Sequence, residues 1–393
     1  MNTLLLQPQV RAYLLDNLSM NPSQLVLKGS PFEGITPQEL AQQLVGLQKS
    51  KTKLPLWFAN DKILFPPNLN LEQTSSHLTA QYKSKLVSGN TLIDVTGGFG
   101  IDTFYFSKQV KKVVHCELNE NLHHLVHYNL KAFNNTSVET YLGDGIQKVL
   151  NSSNVDLVYI DPSRRNDAKG KVFFLEDCLP NVPEHLDALL NKSNQTLIKT
   201  APILDVSIGI KELKYVKELH VVAVKNEVKE LLWVLDKNYK SEILFKAINI
   251  IDESENYTNE IHQNDLEHSS PTYTQELGDY LYEPNSALLK LGAFNWLSTH
   301  YKVHKLHKHS HLYTNNHQVD FPGKKFKVLK VTPFSKKAMK VYNGFKANVV
   351  SRNFKLSVKD IRTRFKIKES KNIFLFFTTN QKNEQIVIEC ERL

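Results

Sequence analysis

Between residues 86 and 250, short apolar runs alternate with stretches whose apolar positions recur every three or four residues. Such runs are typical of buried strands, and the stretches between them are typical of amphipathic helices. This alternation indicates a parallel sheet covered by helices, so we predict an α/β fold. Seven strands are predicted, at Thr91–Thr96, Lys112–Leu118, Val138–Gly143, Val155–Ile160, Gln195–Ala201, Leu219–Lys225 and Glu242–Ile250.

Helical periodicity dominates the chain before this sheet, and we predict an N-terminal helical region over residues 1–85. Thr36 followed by Pro37 marks one helix start, because Pro suits the first helical position. The predicted helices are Gln9–Leu18, Pro37–Lys49 and Gln73–Lys85, the last with Thr74 or Ser75 as a possible cap.

We predict that the sheet domain spans residues 86–250, and the composition of the chain changes after it. Residues 251–272 are polar and acidic without periodicity, and we predict a linker or long loop there, with a domain boundary. Two small α+β modules are expected beyond it, over residues 273–320 and 321–393. The first is predicted to contain the helix Ser286–Thr299, and the second is predicted to close with strands Ile373–Thr378 and Gln385–Cys390.

A glycine-rich turn follows the first predicted strand, in the segment TLIDVTGGFGID. Asp94, Gly98 and Gly100 fit a D-x-x-x-G-x-G pattern, in which glycines let the backbone approach a ligand at a helix N-terminus. Thr103 stands where a dinucleotide-binding pattern has its third glycine, which counts against NAD.

Acidic residues end three further predicted strands. Glu117 comes 19 residues after Gly98, close to the spacing at which an acid binds ribose hydroxyls. Asp144 follows the third strand and Asp161 the fourth. Because the carboxyl ends of parallel strands meet at one edge of a sheet, we expect these acids to line one crevice.

Charge is distributed unevenly along the 393 residues. Residues 301–393 hold 21 Lys and Arg against 6 Asp and Glu, whereas the rest of the chain has an acidic excess. A basic segment of this kind favours a polyanionic partner such as nucleic acid, although a solvated lysine-rich surface has the same composition.

Cysteine usage and hydropathy suggest a cytoplasmic protein. Three widely spaced cysteines support neither a disulfide framework nor a zinc site. The apolar run at the N-terminus is too short for a signal peptide, and no stretch reaches the length of a membrane span. His304, His307, His309 and His311 form a tight group, but no carboxylate or Cys lies among them, so we expect no metal.

The segments DVTGGFG, CEL, GDG and DPS resemble the successive motifs of class I S-adenosylmethionine-dependent methyltransferases. The segments QTSSHLTAQYKS, DPSRR and YEPNSALLK, with the basic C-terminal part, resemble a narrower bacterial family of these enzymes that carries a THUMP-like C-terminal domain. The resemblance covers nearly the whole chain. It implies a Rossmann-like seven-stranded methyltransferase sheet, a ferredoxin-like module over 273–320 and a THUMP-like domain over 321–393. It also implies S-adenosyl-L-methionine as cofactor and RNA, either tRNA or rRNA, as partner.

The resemblance assigns roles to residues at the crevice. The glycine turn would wrap the amino-acid end of the cofactor, Glu117 would hold its ribose, and Asp144 would lie beside the adenine. The implied cofactor-binding residues are Asp94, Thr96, Gly97, Gly98, Gly100, Glu117, Asp144 and Asp161. The implied catalytic residues are Asp161, Pro162, Ser163 and Arg164, at the place of the D/N-P-P-aromatic motif of amino-group methyltransferases. Here Ser163 replaces the second proline, and Arg164 replaces the aromatic residue.

An exocyclic base nitrogen is the predicted methyl acceptor. Such a nitrogen is a poor nucleophile, and Asp161 with the Pro162 backbone could accept its two N–H groups. A structural carboxylate paired with Arg164 is the alternative for Asp161. Carbon methylation would need a cysteine thiolate. Cys178 is the one cysteine close enough in sequence, and we favour an inert buried thiol there.

Several residues are candidate RNA contacts. Arg164 and Arg165 could clamp phosphates or stack on a base, or form structural ion pairs. Phe173 and Phe174 could supply an aromatic platform or belong to the core. Lys51, Lys53, Trp57 and Phe58 mix basic and aromatic side chains, but packing is favoured for the tryptophan. The predicted phosphate contacts are Arg165, Lys324, Lys325, Lys327, Arg352, Arg362 and Arg364.

Three functions therefore stay open. The first is an S-adenosylmethionine-dependent methyltransferase acting on a base nitrogen of RNA. The second is a small-molecule or protein methyltransferase, and the basic C-terminal segment disfavours it. The third is an RNA-binding module with a degenerate catalytic motif, and the DPSRR departure favours it.

Overall fold

A computed structural model describes residues 1–164 and 174–393, and of Arg164 it describes only the backbone. The chain divides into two compact units. The first unit comprises residues 1–224 and 229–241, and the second comprises residues 225–228 and 242–393. Their element content confirms the predicted α/β class, with a parallel-rich sheet in the first unit and a smaller α+β arrangement in the second.

Six α-helices precede the sheet. They are α1 Pro8–Asp16, α2 Pro22–Lys28, α3 Pro37–Lys53, α4 Pro55–Ala59, α5 Asn68–Gln73 and α6 His77–Ser84. The longest, α3, begins as predicted. The Thr36 side chain accepts the Glu39 N–H, and the Glu39 side chain accepts the Thr36 N–H. The predicted helix Gln73–Lys85 is wrong at its start. Helix α5 ends at Gln73, and α6 begins after Ser76, whose hydroxyl accepts the Thr79 N–H.

The N-terminal helices share a core with the helices that follow the glycine turn. Trp57 is buried, and its ring packs 4.9 Å from both Phe104 and Phe133, centroid to centroid. This cluster also includes Phe65 and Val126, so the helical region is built onto the sheet domain. The favoured packing role of Trp57 is confirmed.

The sheet of the first unit has the predicted alternating build. The strands of this unit are β1 Thr91–Asp94, β2 Lys112–Glu117, β3 Val138–Leu142, β4 Val155–Ile160, the short β5 Ser163–Arg164 and β6 Cys178–Leu179, β7 Ser193–Thr200, β8 Val216–Val224 and β9 Glu227–Leu235. The helices between them are α7 Ile101–Phe106, α8 Glu120–Ala132, α9 Gly145–Leu150, α10 Val182–Lys192 and α11 Val206–Glu212. The strand order is β8-β9-β7-β4-β1-β2-β3, while β5 and β6 pair separately.

One strand of the first unit was missed. It is β9, Glu227–Leu235, which runs antiparallel to β7, whereas the predicted strand Glu242–Ile250 is present in the second unit as β10, Leu244–Ile250. Strand β9 follows β8 after two residues, Lys225 and Asn226, which both have positive φ, at 49° and 65°. Positive φ at both residues is typical of a two-residue hairpin turn. Such turns usually contain glycine, and because this one does not, the turn could not be recognised in the sequence.

The second unit contains strands β10 Leu244–Ile250, β11 Asn256–His262, β12 Tyr280–Pro284, β13 His304–Lys305, β14 Tyr313–Asn315, β15 Gly323–Pro333, β16 Asn348–Ser351, β17 Ile373–Thr379 and β18 Gln385–Arg392. Its helices are α12 Gln263–His268, α13 Ser286–Leu291, α14 Phe294–His300 and α15 Val358–Phe365. Seven of these strands form a sheet in the order β13-β14-β12-β15-β18-β17-β16, in which the predicted closing pair is present as β17 and β18.

Two further predictions about this unit need correction. Residues 251–272 are not an unstructured linker, because β11 pairs antiparallel with β10 and α12 follows it. The predicted helix Ser286–Thr299 is broken at Gly292, which has φ of 78° and ends α13. Glycine adopts this left-handed conformation without steric cost, which makes it a common helix stop.

The packing of α3 gives a test of the N-terminal core. A Cβ added to Gly46 would lie 2.2–2.5 Å from atoms of the Phe65 side chain. We expect Gly46→Ala to destabilise the protein by about 1–3 kcal/mol, although alanine favours the helix. Chemical denaturation measures this, with Thr52→Ala at an exposed position of α3 as the control. Equal stability of the two variants would contradict the close packing of Gly46 on Phe65.

Candidate functional site

The glycine turn folds tightly at the end of β1. Gly98 and Gly100 have φ of 53° and 76°, and the Gly100 N–H donates to the Gly97 carbonyl at 2.9 Å. A Cβ on Gly97 would lie 2.3 Å from the His115 ring, so glycine is required there by packing. A Cβ on Gly98 would meet no atom closer than 3.8 Å, which shows that this face of the turn is open.

Asp94 is buried at the base of the turn. Its carboxylate accepts the Thr103 hydroxyl at 2.6 Å and the Thr96 N–H at 3.2 Å. Burial raises the pKa of Asp94 to about 7, although the hydrogen bond from Thr103 opposes the rise. Thr103, which breaks the dinucleotide pattern, therefore has a structural role here.

His115 supports the turn from below. It is buried on β2, and its Nε2 lies 3.2 Å from the Gly98 carbonyl oxygen. Burial lowers the pKa of His115 to about 4, so the ring is neutral at neutral pH. A neutral ring can donate Nε2–H to the carbonyl, and this contact fixes the backbone of the turn.

Glu117 and Asp144 follow as predicted at the ends of β2 and β3. The Glu117 Oε1 accepts the Asn119 N–H at 2.8 Å, and burial raises the pKa of this carboxyl. The exposed Asp144 caps α9, where its Oδ1 accepts the Ile146 and Gln147 N–H groups at 2.8 and 3.3 Å. The two strand ends are neighbours, since the Gly143 N–H donates to the Glu117 carbonyl at 3.0 Å.

Asp161 is tied directly to the glycine turn. Strands β1 and β4 pair in parallel, and the Asp161 N–H donates to the Thr96 hydroxyl at 2.6 Å. The structure thus brings the ends of the first and fourth strands together, as the order of the motifs predicts. The Asp161 Oδ2 accepts a short hydrogen bond from the Lys199 ammonium at the end of β7.

A buried network of charged side chains lies beneath this pair. The Lys83 ammonium is 2.7 Å from the Glu230 Oε2 and 3.3 Å from the Asp102 Oδ1. Asp102 Oδ2 accepts the hydroxyls of Ser75 at 2.9 Å and of Tyr159 at 2.8 Å. The pKa of Glu230 is raised, chiefly because burial disfavours its charged form.

The electrostatics of this network act on Lys199. Burial alone would lower its pKa, but the carboxylates of Asp161, Glu230 and Asp102 outweigh burial and raise the pKa of Lys199 above its ordinary value. Lys199 therefore carries a positive charge at neutral pH, next to the Asp161 carboxylate.

Sequence reasoning missed Lys83, Lys199 and Glu230 because their partners are distant along the chain, 147 residues apart for Lys83 and Glu230. A weak signal was present. Glu230 is a charged residue among the apolar side chains of β9, and it is buried there, as is Lys83 on α6. Because a buried charge needs a partner, such positions mark candidate polar networks.

The other predicted residues of the acceptor loop differ in their exposure. Ser163 is exposed and pairs with Leu179 across β5 and β6, and Pro162 is half-buried. Arg165 and Phe173 lie outside the described residues, while Phe174 is exposed. Cys178 is buried, with its Sγ 3.8 Å from the Phe174 carbonyl oxygen, and this favours the inert role.

The charge of Lys199 also acts on a lysine of helix α3, Lys53. Burial, followed by the positive charges of Lys199 and Lys49, lowers the pKa of Lys53 to about 8, with a smaller contribution from Lys229. The Lys53 ammonium donates to the Leu71 and Glu72 carbonyls at 2.8 and 3.1 Å. Helix α3 thus carries one lysine, Lys53, whose protonation is coupled to the charge of Lys199.

Most predicted phosphate contacts of the second unit are in ion pairs with carboxylates. Glu283 binds both Lys324 at 3.2 Å and Arg352 at 2.6 Å. Lys325 pairs with Asp320 at 2.6 Å, and Arg362 pairs with Glu369 at 2.9 Å. Lys327 is exposed on β15, and the Arg364 guanidinium lies 5.5 Å from the Phe365 ring centroid. A phosphate would have to extend or replace these ion pairs.

An open groove of about 1080 Å³ lies within the second unit. Exposed Lys308 and Lys355 line it together with the half-buried rings of Phe334 and Phe354, which are 4.9 Å apart. Further lining residues are His307, His309, Asn353, Asn383 and Gln385. Cations beside aromatic rings suit a nucleic acid strand.

The predicted histidine group contributes to this region through hydrogen bonds and stacking. His307 contacts the side-chain amides of Asn383 and Asn353 at 3.1 and 3.0 Å. His311 stacks on Phe294 with 3.7 Å between ring centroids. Over residues 1–164 and 174–393, no three His, Cys, Asp or Glu side chains are placed to hold a metal ion. No helix among these residues has the length and apolar character to cross a membrane.

Family comparisons match the second unit. Residues 280–322 match a ferredoxin-like domain family, and residues 323–392 match a THUMP domain-like family. No curated protein matches the sequence.

A solved structure matches nearly the whole chain. A candidate methyltransferase from Porphyromonas gingivalis W83 is 28% identical, and the match covers 97% of both chains with a TM-score of 0.87. TrmK from M. capricolum, in complex with S-adenosyl-homocysteine, is 16% identical over 42% of this chain and 70% of that chain, with a TM-score of 0.33. An rRNA methylase from Streptococcus thermophilus is 15% identical over 41% of this chain and 95% of that chain, with a TM-score of 0.30. The last two values do not establish a shared fold.

The pKa of Asp94 gives a test of the turn. The pKa of Asp94 is about 7 in the folded protein and about 3.9 in the unfolded chain, so folding is accompanied by proton uptake between these pH values. The contribution of this group to stability is therefore lost as pH rises from about 4 to about 7. We expect Asp94→Asn to gain stability relative to the unsubstituted protein across this window, measured by thermal unfolding.

Asp156 is the control for this experiment. Hydrogen bonds from the Asn90 and Thr91 N–H groups lower its pKa. The difference between Asp156→Asn and the unsubstituted protein should therefore change only below about pH 4. A pH-independent difference for Asp94→Asn would show that Asp94 titrates normally.

Proposed function

Because this chain belongs to the class I S-adenosylmethionine-dependent methyltransferases with a THUMP-like C-terminal domain, we propose that it methylates RNA, either tRNA or rRNA, in the cytoplasm. The observation that carries this proposal is the 2.6 Å hydrogen bond between the Asp161 N–H and the Thr96 hydroxyl. It joins the turn proposed to hold the methyl donor to the loop proposed to hold the acceptor. Methyl transfer needs these two groups in line and in contact.

The crevice fits the cofactor. We assign its amino-acid end to the turn that contains Asp94, Thr96, Gly97, Gly98 and Gly100, where the face at Gly98 is open. Glu117 accepts a backbone N–H through Oε1, and its second oxygen can accept ribose hydroxyls. Asp144 and Asp161 complete the set, beside the adenine and the sulfonium. The cofactor supplies an already activated methyl group, so the protein mainly positions the acceptor.

The choice of RNA rests on the second unit. The basic excess of residues 301–393 matches a polyanion, and a THUMP-like domain covers residues 323–392. The groove with Lys308, Lys355, Phe334 and Phe354 offers cations for phosphates and rings for bases. A small-molecule acceptor would need none of these features.

The acceptor atom is a separate question. The predicted base nitrogen would require the Asp161 carboxylate to accept an N–H group. In the structure one oxygen of that carboxylate binds the Lys199 ammonium. This pairing favours a different acceptor atom from the one that the sequence motif predicts.

The catalytic role of Asp161 is testable with Asp161→Asn, which keeps an oxygen acceptor for Lys199. We expect transfer of labelled methyl groups from S-adenosylmethionine to RNA to fall by at least about 100-fold, because a proton acceptor at the reacting atom is lost. Calorimetry should show cofactor affinity within a few-fold of the unsubstituted value, and Cys178→Ala should remain active. Loss of activity in Cys178→Ala with cofactor binding intact would indicate carbon methylation.

The role of the second unit is testable with the triple variant Lys308→Gln, Lys327→Gln and Lys355→Gln. Each phosphate contact on a single strand contributes about −0.7 to the slope of log affinity against log salt, so the slope should flatten by about 2. Fluorescence anisotropy with labelled RNA measures it. Lys112→Gln with Lys214→Gln, in exposed ion pairs of the first unit, is the control. An unchanged slope in the triple variant would mean that these lysines are only a solvated surface.

A further inference from the structure

Asp161 and Lys199 form the part of the buried charge network that reaches the surface. The Asp161 and Lys199 side chains are 32% and 13% exposed, whereas those of Glu230 and Lys83 are 2% and 0% exposed. A substrate can therefore contact the Asp161–Lys199 pair, while Lys83 and Glu230 lie beneath it. All four side chains belong to the first unit, which also contains the glycine turn.

The ammonium of Lys199 discriminates between acceptor atoms. A nitrogen that attacks the methyl group gains positive charge before it loses its proton, and an adjacent ammonium would destabilise that charge. A hydroxyl oxygen instead gains negative charge as its proton leaves, and an ammonium stabilises it. An ammonium is also only a donor and cannot accept either N–H group of an amine.

We propose that the acceptor is a ribose 2′-hydroxyl of RNA, which Asp161 and Lys199 hold and activate as catalytic residues. The inference rests on the proposed function, since it names the group of the RNA that is methylated. Every ribonucleotide carries this hydroxyl on its backbone, beside a phosphate. Lys199 supplies the cation for such a backbone target, and its positive charge also acts on Lys53.

Atoms and charge balance in this step. The hydroxyl oxygen forms a bond to the methyl carbon as the carbon–sulfur bond of S-adenosylmethionine breaks, and that electron pair stays on sulfur. The hydroxyl proton passes to the Asp161 carboxylate and then to water. The Lys199 ammonium donates a hydrogen bond to the oxygen throughout and keeps its proton, consistent with its raised pKa.

The residues beneath the surface position this pair. Glu230 and Asp102 attract the Lys199 ammonium, and Lys83 balances both carboxylates. Tyr159, which lies two residues before Asp161 in the sequence, donates a hydrogen bond from its hydroxyl to Asp102. The network thus holds a protonated lysine at the crevice although burial disfavours its charge.

The sequence of the acceptor loop is consistent with a backbone target. A base nitrogen must be turned out of its stack and held, usually against an aromatic side chain. In this chain Ser163 and Arg164 stand where amino-group methyltransferases have proline and an aromatic residue. A ribose hydroxyl needs no stacking platform. The absence of the motif's aromatic residue therefore disfavours a base as acceptor and favours the ribose.

The product identifies the acceptor. RNA methylated with labelled S-adenosylmethionine by the full-length protein should be hydrolysed in alkali. A 2′-O-methyl group blocks cleavage of the adjoining phosphodiester, so the label should appear in dinucleotides. Label in mononucleotides would place the methyl group on a base and overturn the inference while preserving RNA methylation. Bound S-adenosylmethionine without label in any RNA would overturn the proposed function itself.

Lys199 variants test the mechanism. Lys199→Gln should lower kcat by about 10²–10³-fold with little change in cofactor affinity, and Lys199→Arg should restore part of the rate because it keeps the cation. Lys112→Gln, which removes a lysine from an exposed pair on β2, should be fully active. Full activity of Lys199→Gln would exclude a catalytic role for Lys199.

A binding measurement gives a readout independent of turnover. The ¹⁵N resonance of the Lys199 ammonium can be assigned by its loss in Lys199→Arg. Without cofactor, RNA should shift this resonance, and DNA of the same sequence should shift it less, because DNA lacks the hydroxyl. Equal shifts would contradict contact between Lys199 and the 2′-hydroxyl.

Discussion

A buried positive charge is the constraint on which the first unit depends. The Lys83 side chain is fully buried on α6, and its ammonium binds Glu230, Asp102 and the Ser75 hydroxyl. Removing one partner of a buried ion pair leaves an uncompensated charge, which costs about 3–5 kcal/mol. These contacts therefore fix α6 against α7 and β9. Helix α6, the last helix before the sheet, is therefore held to the sheet domain by the charge network that lies beneath the Asp161–Lys199 pair.

The crevice itself could be predicted because its residues follow a local rule. Asp94, Glu117, Asp144 and Asp161 each come at the end of an apolar run or directly after it, so parallel strands bring them to one edge without knowledge of distant contacts. The pairing of Asp161 with Lys199 could not be predicted in this way. It depends on the order of the strands and on side chains 38 residues apart in sequence. The role of Glu230 could not be predicted for another reason. Its strand, β9, was not recognised in the sequence, because the turn before it contains no glycine.

The second unit shows the same division between local and distant information. Strands β17 and β18 were visible as apolar runs, and Ser357 capping α15 is a local signal. The strand β11 was missed because its residues are polar and mostly exposed. The ion pairs of Glu283 with Lys324 and Arg352 were also invisible, because they join β12 to residues 41 and 69 positions later.

The pKa of Lys53, lowered to about 8, has a thermodynamic consequence for binding. Near this pH the side chain is only partly protonated in the free protein, because burial and nearby lysines disfavour its charge. A phosphate group close by would reverse that preference and raise the pKa again. Association with a polyanion would then be accompanied by net proton uptake at Lys53. The protein would gain part of the positive charge that faces the polyanion from solvent, at the moment of binding.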